Sequence, residues 1–592
     1  ATTTTKTSSL TTLSSPSNED TDPTMKKRKQ EDELIESRRN THERWKTIAS
    51  SIDNTSLKLC KREYDLDFIP HEIEEFTNLE ELELIGLRIK SLPASIGNMA
   101  NLKILWLGGN LGGTMDPHFE SLPKLTNLEM FCLYGLPEIK SLPASIGNMA
   151  NLKILRLKNM YELESLPDEI GNLKNLEELQ LVELPEIELL PESIGNMTNL
   201  KKLELESTNI ESLPASIGNM ANLEQLILFE MDLLENLPNE IGELTNLEEL
   251  VLSHVSSIRS LPASIGNMTN LKRLFLQGTA SLWTHPNKIW ELTNLEELCL
   301  VSVQTESLPA SIGNNMPNLK RLLLTDIAHL ESLPNEIWEL TSLEELYLSK
   351  LSKFKLLPAS IGNMRSLKKL SLVYLRHLES LNKIWELTNL EHLELSELGV
   401  TSLSASIGNM TNLKRLDLNF MKQLESLPDE IGNLTNLEHL DLSELGVTSL
   451  PASIGNMTNL KILDLNFMKQ LESLPDEIGN LTNLEYLFLR ELEVTSLPAS
   501  PFNLTNLKYV ALPDTIGLPS AKMLYLKLAK RRISDCQRLP LSLWPLILAK
   551  PDLICSEFRH RGHSISLPQS DILFHILTLT VRTRNSPNLP LR

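Results

Sequence analysis

The chain has 592 residues, 56 Lys and Arg against 77 Asp and Glu, a net charge of −21 and 5 cysteines. So acidic a body argues against a nucleic-acid phosphate backbone as the main partner and favours basic protein surfaces. The cysteines fall in no paired spacing, which suits a reducing compartment and gives no metal framework, and no apolar run reaches the roughly 18 residues of a membrane span.

Residues 1–30 form a Ser/Thr-rich segment with almost no large apolar groups, which cannot offset its ordering entropy. It is expected to be disordered, and its opening residues lack the apolar core of a secretory signal. Its basic run, Lys26 to Lys29, reads either as a solvated charge run or as a nuclear-import address. Residues 31–56 can form a helix with Leu34, Ile35, Trp45 and Ile48 to one side, suited to cap the end of a repeat array. Leu57, Leu59, Ile69 and Ile73 then look like a worn first repeat.

From there to about residue 513 the chain repeats one phrase. Residues 450–474 reproduce 403–427 almost letter for letter, and 427–450 are a sister version. Anchor leucines recur about nineteen times, from Leu79 to Leu507, at steps of 23 or 24 and one of 26 across 108–119. That longer step contains Gly-Gly twice and reads as a bulging loop. In Leu460–Leu465 apolar residues alternate with others, the sign of a short strand: Leu463 and Leu465 turn inward, Ile462 and Asp464 outward. Downstream, Leu474, Ile478, Leu481 and Leu484 recur at helical spacing after Pro475, with Asp476 and Glu477 placed to suit a helix N-terminus. A period in the low twenties with fixed leucines predicts a solenoid: a curved parallel sheet inside, short helices outside, about 19–20 repeats, an α/β fold.

The pattern LxxLxL followed by LPxxIGNLxNL resembles the leucine-rich repeat family. The wording SLPASIGNMTNLK, from Ser449, is similar to the repeats of plant intracellular Ras-group-related proteins and plant disease-resistance receptors. The resemblance implies a protein-interaction scaffold rather than an activity. One departure stands out: the family's inward Asn is present at Asn110, but the equivalent position elsewhere is Met160, Leu184, Met231, Val255, Val303, Ile327, Leu351, Leu398, Met421, Leu445 or Leu492, with Thr208 and Thr279 polar. Backbone groups that such an Asn would satisfy must find backbone or water partners instead. The sequence holds no GxxxxGK[ST] and no kinase HRD or DFG set, so no enzyme or cofactor is expected.

The middle outward residue of each strand outlines the presented face. Ile227, Val251, Phe275, Cys299, Leu323 and Tyr347 are six apolar or aromatic groups in succession, a stripe of about 24 Å at the strand spacing of a sheet. An exposed stripe of that length marks a partner site, unless a loop or the tail covers it. Glu394, Asp417, Asp441 and Asp464 stack next, a surface that attracts a basic segment or simply keeps an acidic array soluble. His392 and His439 flank this stack two strands apart, too far for a metal site. Seven sequons, Asn196, Asn267, Asn409, Asn433, Asn456, Asn480 and Asn503, arise from the repeat wording and matter only on a secretory route.

Residues 514–592 break the period. From 518 they carry 12 Lys and Arg against 4 Asp and Glu, about +8, and read as a helical cap or a docking module. Cys536 has no His or carboxylate placed around it by any motif. The expected role is therefore a non-catalytic scaffold in cytoplasmic signalling, binding a protein partner on its concave sheet, without nucleic acid, metal or membrane insertion. Two alternatives are a substrate-recognition subunit of a ubiquitin-ligase or phosphatase assembly, recruiting its enzyme through the tail, and an exported receptor ectodomain.

Overall fold

A computed structural model describes residues 55–60, 69, 71–86, 92–109, 122–279, 288–381, 383–494 and 504–512. The basic run at Lys26, the predicted N-terminal cap, Asn110 with the loop around it, and the tail from 513 lie outside the described residues.

Within them, twenty strands from Ser56–Cys60 to Tyr509–Ala511 form one parallel sheet, each strand pairing with its neighbours in the chain. Register is constant: Leu274 lies beside Leu250 on one side and Leu298 on the other. The worn first repeat contributes a full strand, with Leu57 and Leu59 buried. Because side chains alternate across a strand, each repeat sends two leucines inward, and Leu463 and Leu465 are both 0% exposed. One continuous apolar interior runs from Leu57 to Leu512 among the described residues.

Among the described residues the predicted short helices are single 3-10 turns of five residues or fewer, such as Ala452–Asn456, apart from one α-helical turn at Ser311–Asn315. Packing explains the tightness. A Cβ added to Gly195 would sit 2.2 Å from the Ser216 carbonyl oxygen of the next turn, so the convex layer has no room for a wider helix there. Most turns follow an extended proline such as Pro451, at φ −69° and ψ 145°. Where Ser404 replaces that proline, its hydroxyl caps the turn by accepting from the Ser406 amide at 3.2 Å.

The missing inward Asn is compensated through the backbone. In repeat after repeat the residue before that position is left-handed, for example Asn159, Glu230 and Asp326 at φ 55°, 52° and 57°. Its amide donates to the strand end of the following repeat: Asn159 to Val182, Glu230 to Ser253, Asp326 to Ser349, each at 2.9 Å. The next side chain is then free to be apolar, and Met160, Met231 and Ile327 are fully buried. Thr208 and Thr279 are the exceptions, with buried hydroxyls that find no partner.

A different Asn ladder holds the repeats together from outside. The Asn preceding most anchor leucines donates its side-chain amide to a carbonyl one repeat earlier, as Asn246 does to Ala221 at 2.7 Å and Asn270 to Thr245 at 2.8 Å, and Ser342 and Ser366 take its place before two anchors. Beside it, the residue after the anchor alternates Glu and Lys except at the successive Glu224 and Glu248, paired as Lys272 with Glu248 at 2.6 Å and Lys320 with Glu296 at 2.7 Å.

Candidate protein-docking face

The strands place Ile227, Val251, Phe275, Cys299, Leu323 and Tyr347 side by side in register on the concave face. The stripe predicted from sequence is therefore continuous, but it is not uniformly exposed. Val251 is 6% exposed and Cys299 3%, whereas Ile227, Phe275, Leu323 and Tyr347 are half-buried. Side chains about 4.8 Å apart pack against one another along the row, so the shorter members sink beneath longer neighbours. Val251 lies between Ile227 and Phe275, and Cys299 between Phe275 and Leu323. The result is a low apolar lane in which Ile227, Phe275, Leu323 and Tyr347 are more accessible than Val251 and Cys299.

A half-buried charge ladder bounds this lane on the N-terminal side of the strands. Arg273 pairs with Glu249 at 3.1 Å, Arg321 with both Glu297 at 3.0 Å and Glu345 at 2.9 Å, and Lys369 with Glu345 at 2.9 Å. Tyr347 donates its hydroxyl to Glu345 at 2.8 Å. Burial acts to raise the Glu345 carboxyl, but Lys369, Tyr347 and Arg321 outweigh it and hold the group below its usual range. The phenol of Tyr347 is pushed up by burial and by that carboxylate. On the other side lie Phe229, Ser253, Gln277, Val301, Thr325 and Ser349. The lane is thus neutral and internally satisfied at its edge, a surface for apolar contact.

The acidic stack is also in register, Glu394 beside Asp417, then Asp441, then Asp464. Its members are engaged within the chain. Glu394 accepts from Ser371 at 2.7 Å and Asp417 from Arg415 at 2.6 Å. Asp441 and Asp464 each accept the amide two residues on, from Ser443 and Asn466 at 2.9 Å. These two turns accompany strands of three residues, His439–Asp441 and Ile462–Asp464, in place of the usual five, and Arg415–Asp417 is equally short. Burial pushes Asp417 and Asp464 up to about 6. Asp417 is 6% exposed, and one of its oxygens has no hydrogen-bond partner, with His439 Nε2 3.7 Å away. Burial and Arg415 lower His439 to about 4, and burial lowers His392 as well. Among the described residues no group of three or more His, Cys, Asp or Glu could hold a metal ion.

Recesses of the surface run instead along the exposed ladders, lined by Asn412, Lys414, Asn436, Glu438, Asn459 and Lys461. Neither ladder was singled out from the sequence, although the Asn before each anchor and the alternating Glu and Lys after it are legible there once the period is aligned.

The comparisons agree with the repeat and the fold. The leucine-rich repeat region family matches residues 139–236 and 229–323. The fold is that of a leucine-rich-repeat solenoid. Among solved structures, a leucine-rich-repeat protein of Leptospira interrogans is similar at 27% identity and a TM-score of 0.53, covering 79% of this chain and 98% of its own. The Drosophila Toll–Spatzle complex matches at 20% identity and a TM-score of 0.50, over 76% of this chain and 61% of its own, a likeness of fold. The plant peptide hormone receptor RGFR1, solved in complex with RGF2, matches at 23% identity and a TM-score of 0.41, over 77% of this chain and 86% of its own. No curated protein matches the chain.

Proposed function

We propose that the chain is a non-catalytic scaffold of intracellular signalling that grips a protein partner along the concave lane from Ile227 to Tyr347. The observation that carries this reading is six consecutive strands in register with an apolar group at the same outward position, bounded by a charge ladder that is already satisfied. A lane without unpaired charge costs little to desolvate and gains by burying Phe275, Leu323 and Tyr347, which supports it as the centre of an interface. The stack from Glu394 to Asp464 continues the same face and steers a basic segment of the partner towards it. Cys132 and Cys299 are buried and unpaired, which suits a reducing compartment.

The test is affinity capture with the full chain and with the double variant Phe275→Asp, Leu323→Asp. The reading expects one dominant protein to be retained by the native chain and lost by the variant, with melting nearly unchanged. Equal capture by both would remove the lane as the binding surface.

A further inference from the structure

The C-terminal rim of the strands carries side chains that the concave lane does not explain. At the left-handed residue after the strand, most repeats place a small or polar residue. Three alternate repeats place an aromatic: Tyr374, Phe420 and Phe467, at φ 57°, 59° and 61°. Bulky L residues are disfavoured in that region. Core packing does not compensate, because the three are 38%, 37% and 45% exposed.

Between and beyond the rings the same position holds Glu397, Glu444 and Glu491. Backbone bonds fix the order along the rim: the Phe420 amide donates to Ser443 at 2.9 Å, Glu444 to Asn466 at 3.0 Å and Phe467 to Arg490 at 2.8 Å. Each phenylalanine is therefore flanked by a glutamate on either side.

The rim shows what such a ring can hold. Lys350, at this position one repeat before Tyr374, places Nζ 5.5 Å from the centre of the tyrosine ring. At Phe420 and Phe467 the preceding rung is Glu397 or Glu444, so that cation is replaced by a carboxylate. Glu397 pairs with Arg376 at 2.7 Å and Glu444 with Lys422 at 3.1 Å, and both cations are about 70% exposed at their side chains. Such pairs contribute little and exchange readily with an incoming cation. Arg415, Lys469 and Arg490 are further cations of these repeats, Lys414 and Lys461 are paired with Glu391 and Glu438 on the outer ladder, and Asp417, Asp441 and Asp464 stand on the strands beside the rim.

We propose that Phe420 and Phe467, with Glu397, Glu444 and Glu491 around them, are twin seats for two cationic side chains of an extended basic segment in a partner protein. A cation over an aromatic face beside a carboxylate is attracted by both. Two strands separate the seats, roughly 9.6 Å at about 4.8 Å per strand. A polyproline II segment covers that in three residues at about 3.1 Å each and turns residues i and i+3 to the same side. The fitting segment therefore carries Arg or Lys at positions i and i+3. This surface is separate from the apolar lane and does not rest on it.

The test uses the full chain and fluorescent peptides of equal composition, with two arginines in a Gly/Ser/Pro background at i and i+3 or at i and i+1. Anisotropy should show the i, i+3 peptide binding at least fivefold more tightly. Phe420→Gly with Phe467→Gly removes both rings at φ values glycine accepts, and should weaken that peptide at least tenfold without lowering the melting temperature. Glu444→Gln, which leaves both rings in place, should weaken it severalfold. The variant Phe275→Asp, Leu323→Asp should bind the peptide like the native chain, which separates failure here from failure of the lane. Equal affinity for the two spacings, absence of binding by either, or native affinity in the double glycine variant would overturn the proposal.

Discussion

Asn436 donates its side-chain amide to the carbonyl of Thr411, 2.9 Å away on the preceding repeat. The same bond ties Asn412 to Thr388, Asn459 to Thr435 and Asn483 to Thr458, also at 2.9 Å. In a solenoid each repeat contacts only its neighbours, so a bond across every junction enters the stability of the whole array. Asn436→Ala should cost about 0.5–1.5 kcal/mol, the net worth of one such bond. Pairing it with Asn175→Ala, far along the array, should give additive losses in a urea titration. No change in midpoint would mean that water replaces the ladder without loss.

Asp417 offers a test by pH. Its folded value is raised to about 6 by burial, so between the ordinary value of 3.8 and 6 the folded chain binds more protons than the unfolded one. Stability from this group therefore falls as pH rises through that window, and the cost is complete above about pH 6. His439, lowered to about 4, acts in the opposite sense, adding stability as pH rises from about 4 to 6.5. Asp417→Asn removes only the first effect while keeping an acceptor for Arg415. It should stabilise the chain at pH 7.5 by on the order of 2–3 kcal/mol, with the gain shrinking towards zero near pH 4. Calorimetry at several pH values reads this directly, and a gain independent of pH would refute the assignment.

Convex packing separates two glycines that the sequence writes alike. Alanine at Gly195 would place its Cβ 2.2 Å from a backbone oxygen, whereas at Gly266 the nearest atom is the Lys288 Cβ at 3.2 Å. Gly195→Ala should cost about 3 kcal/mol or more, by overpacking against backbone that cannot yield. Gly266→Ala should stay within about 1 kcal/mol of native, because a 3.2 Å contact is relieved by a shift of a few tenths of an ångström and alanine favours the helical turn over glycine. Equal melting temperatures for the two would show that the turns are not held at this spacing.

Thr279 is completely buried and its hydroxyl lacks a partner, while the equivalent residues on either side are Val255 and Val303. Thr279→Val keeps the shape and removes the unsatisfied group, so it should stabilise by about 1 kcal/mol. A loss on denaturant titration would show that the hydroxyl is bonded after all.

The sequence made the solenoid plain because its information lies in the period. Leu463 and Leu465 are buried since alternation sends them inward, and the register follows from equal repeat length. The backbone compensation for the absent inward Asn was also foreseeable, since apolar Met160 or Ile327 leaves no other donor nearby. Exposure on the concave face was not legible. Val251 and Phe275 occupy the same repeat position, and the length of each side chain relative to its neighbours decides that one sinks and the other stays half-buried. Nor did the letters reveal that Asp441 and Asp464 close turns with Ser443 and Asn466, because a carboxylate reads the same whether it faces solvent or an amide. The five-residue turns read as helix because 3-10 and α spacing are alike over so short a span.

Whether a partner is held on the lane through Phe275 and Leu323 is decided by titration calorimetry. The captured partner is titrated into the native chain and into the variant Phe275→Asp, Leu323→Asp. Affinity should fall at least a hundredfold, with melting temperatures within about 2 °C of each other, since carboxylates would have to be buried at the interface but not within the fold. Equal affinities for the two chains would rule the lane out as the binding surface.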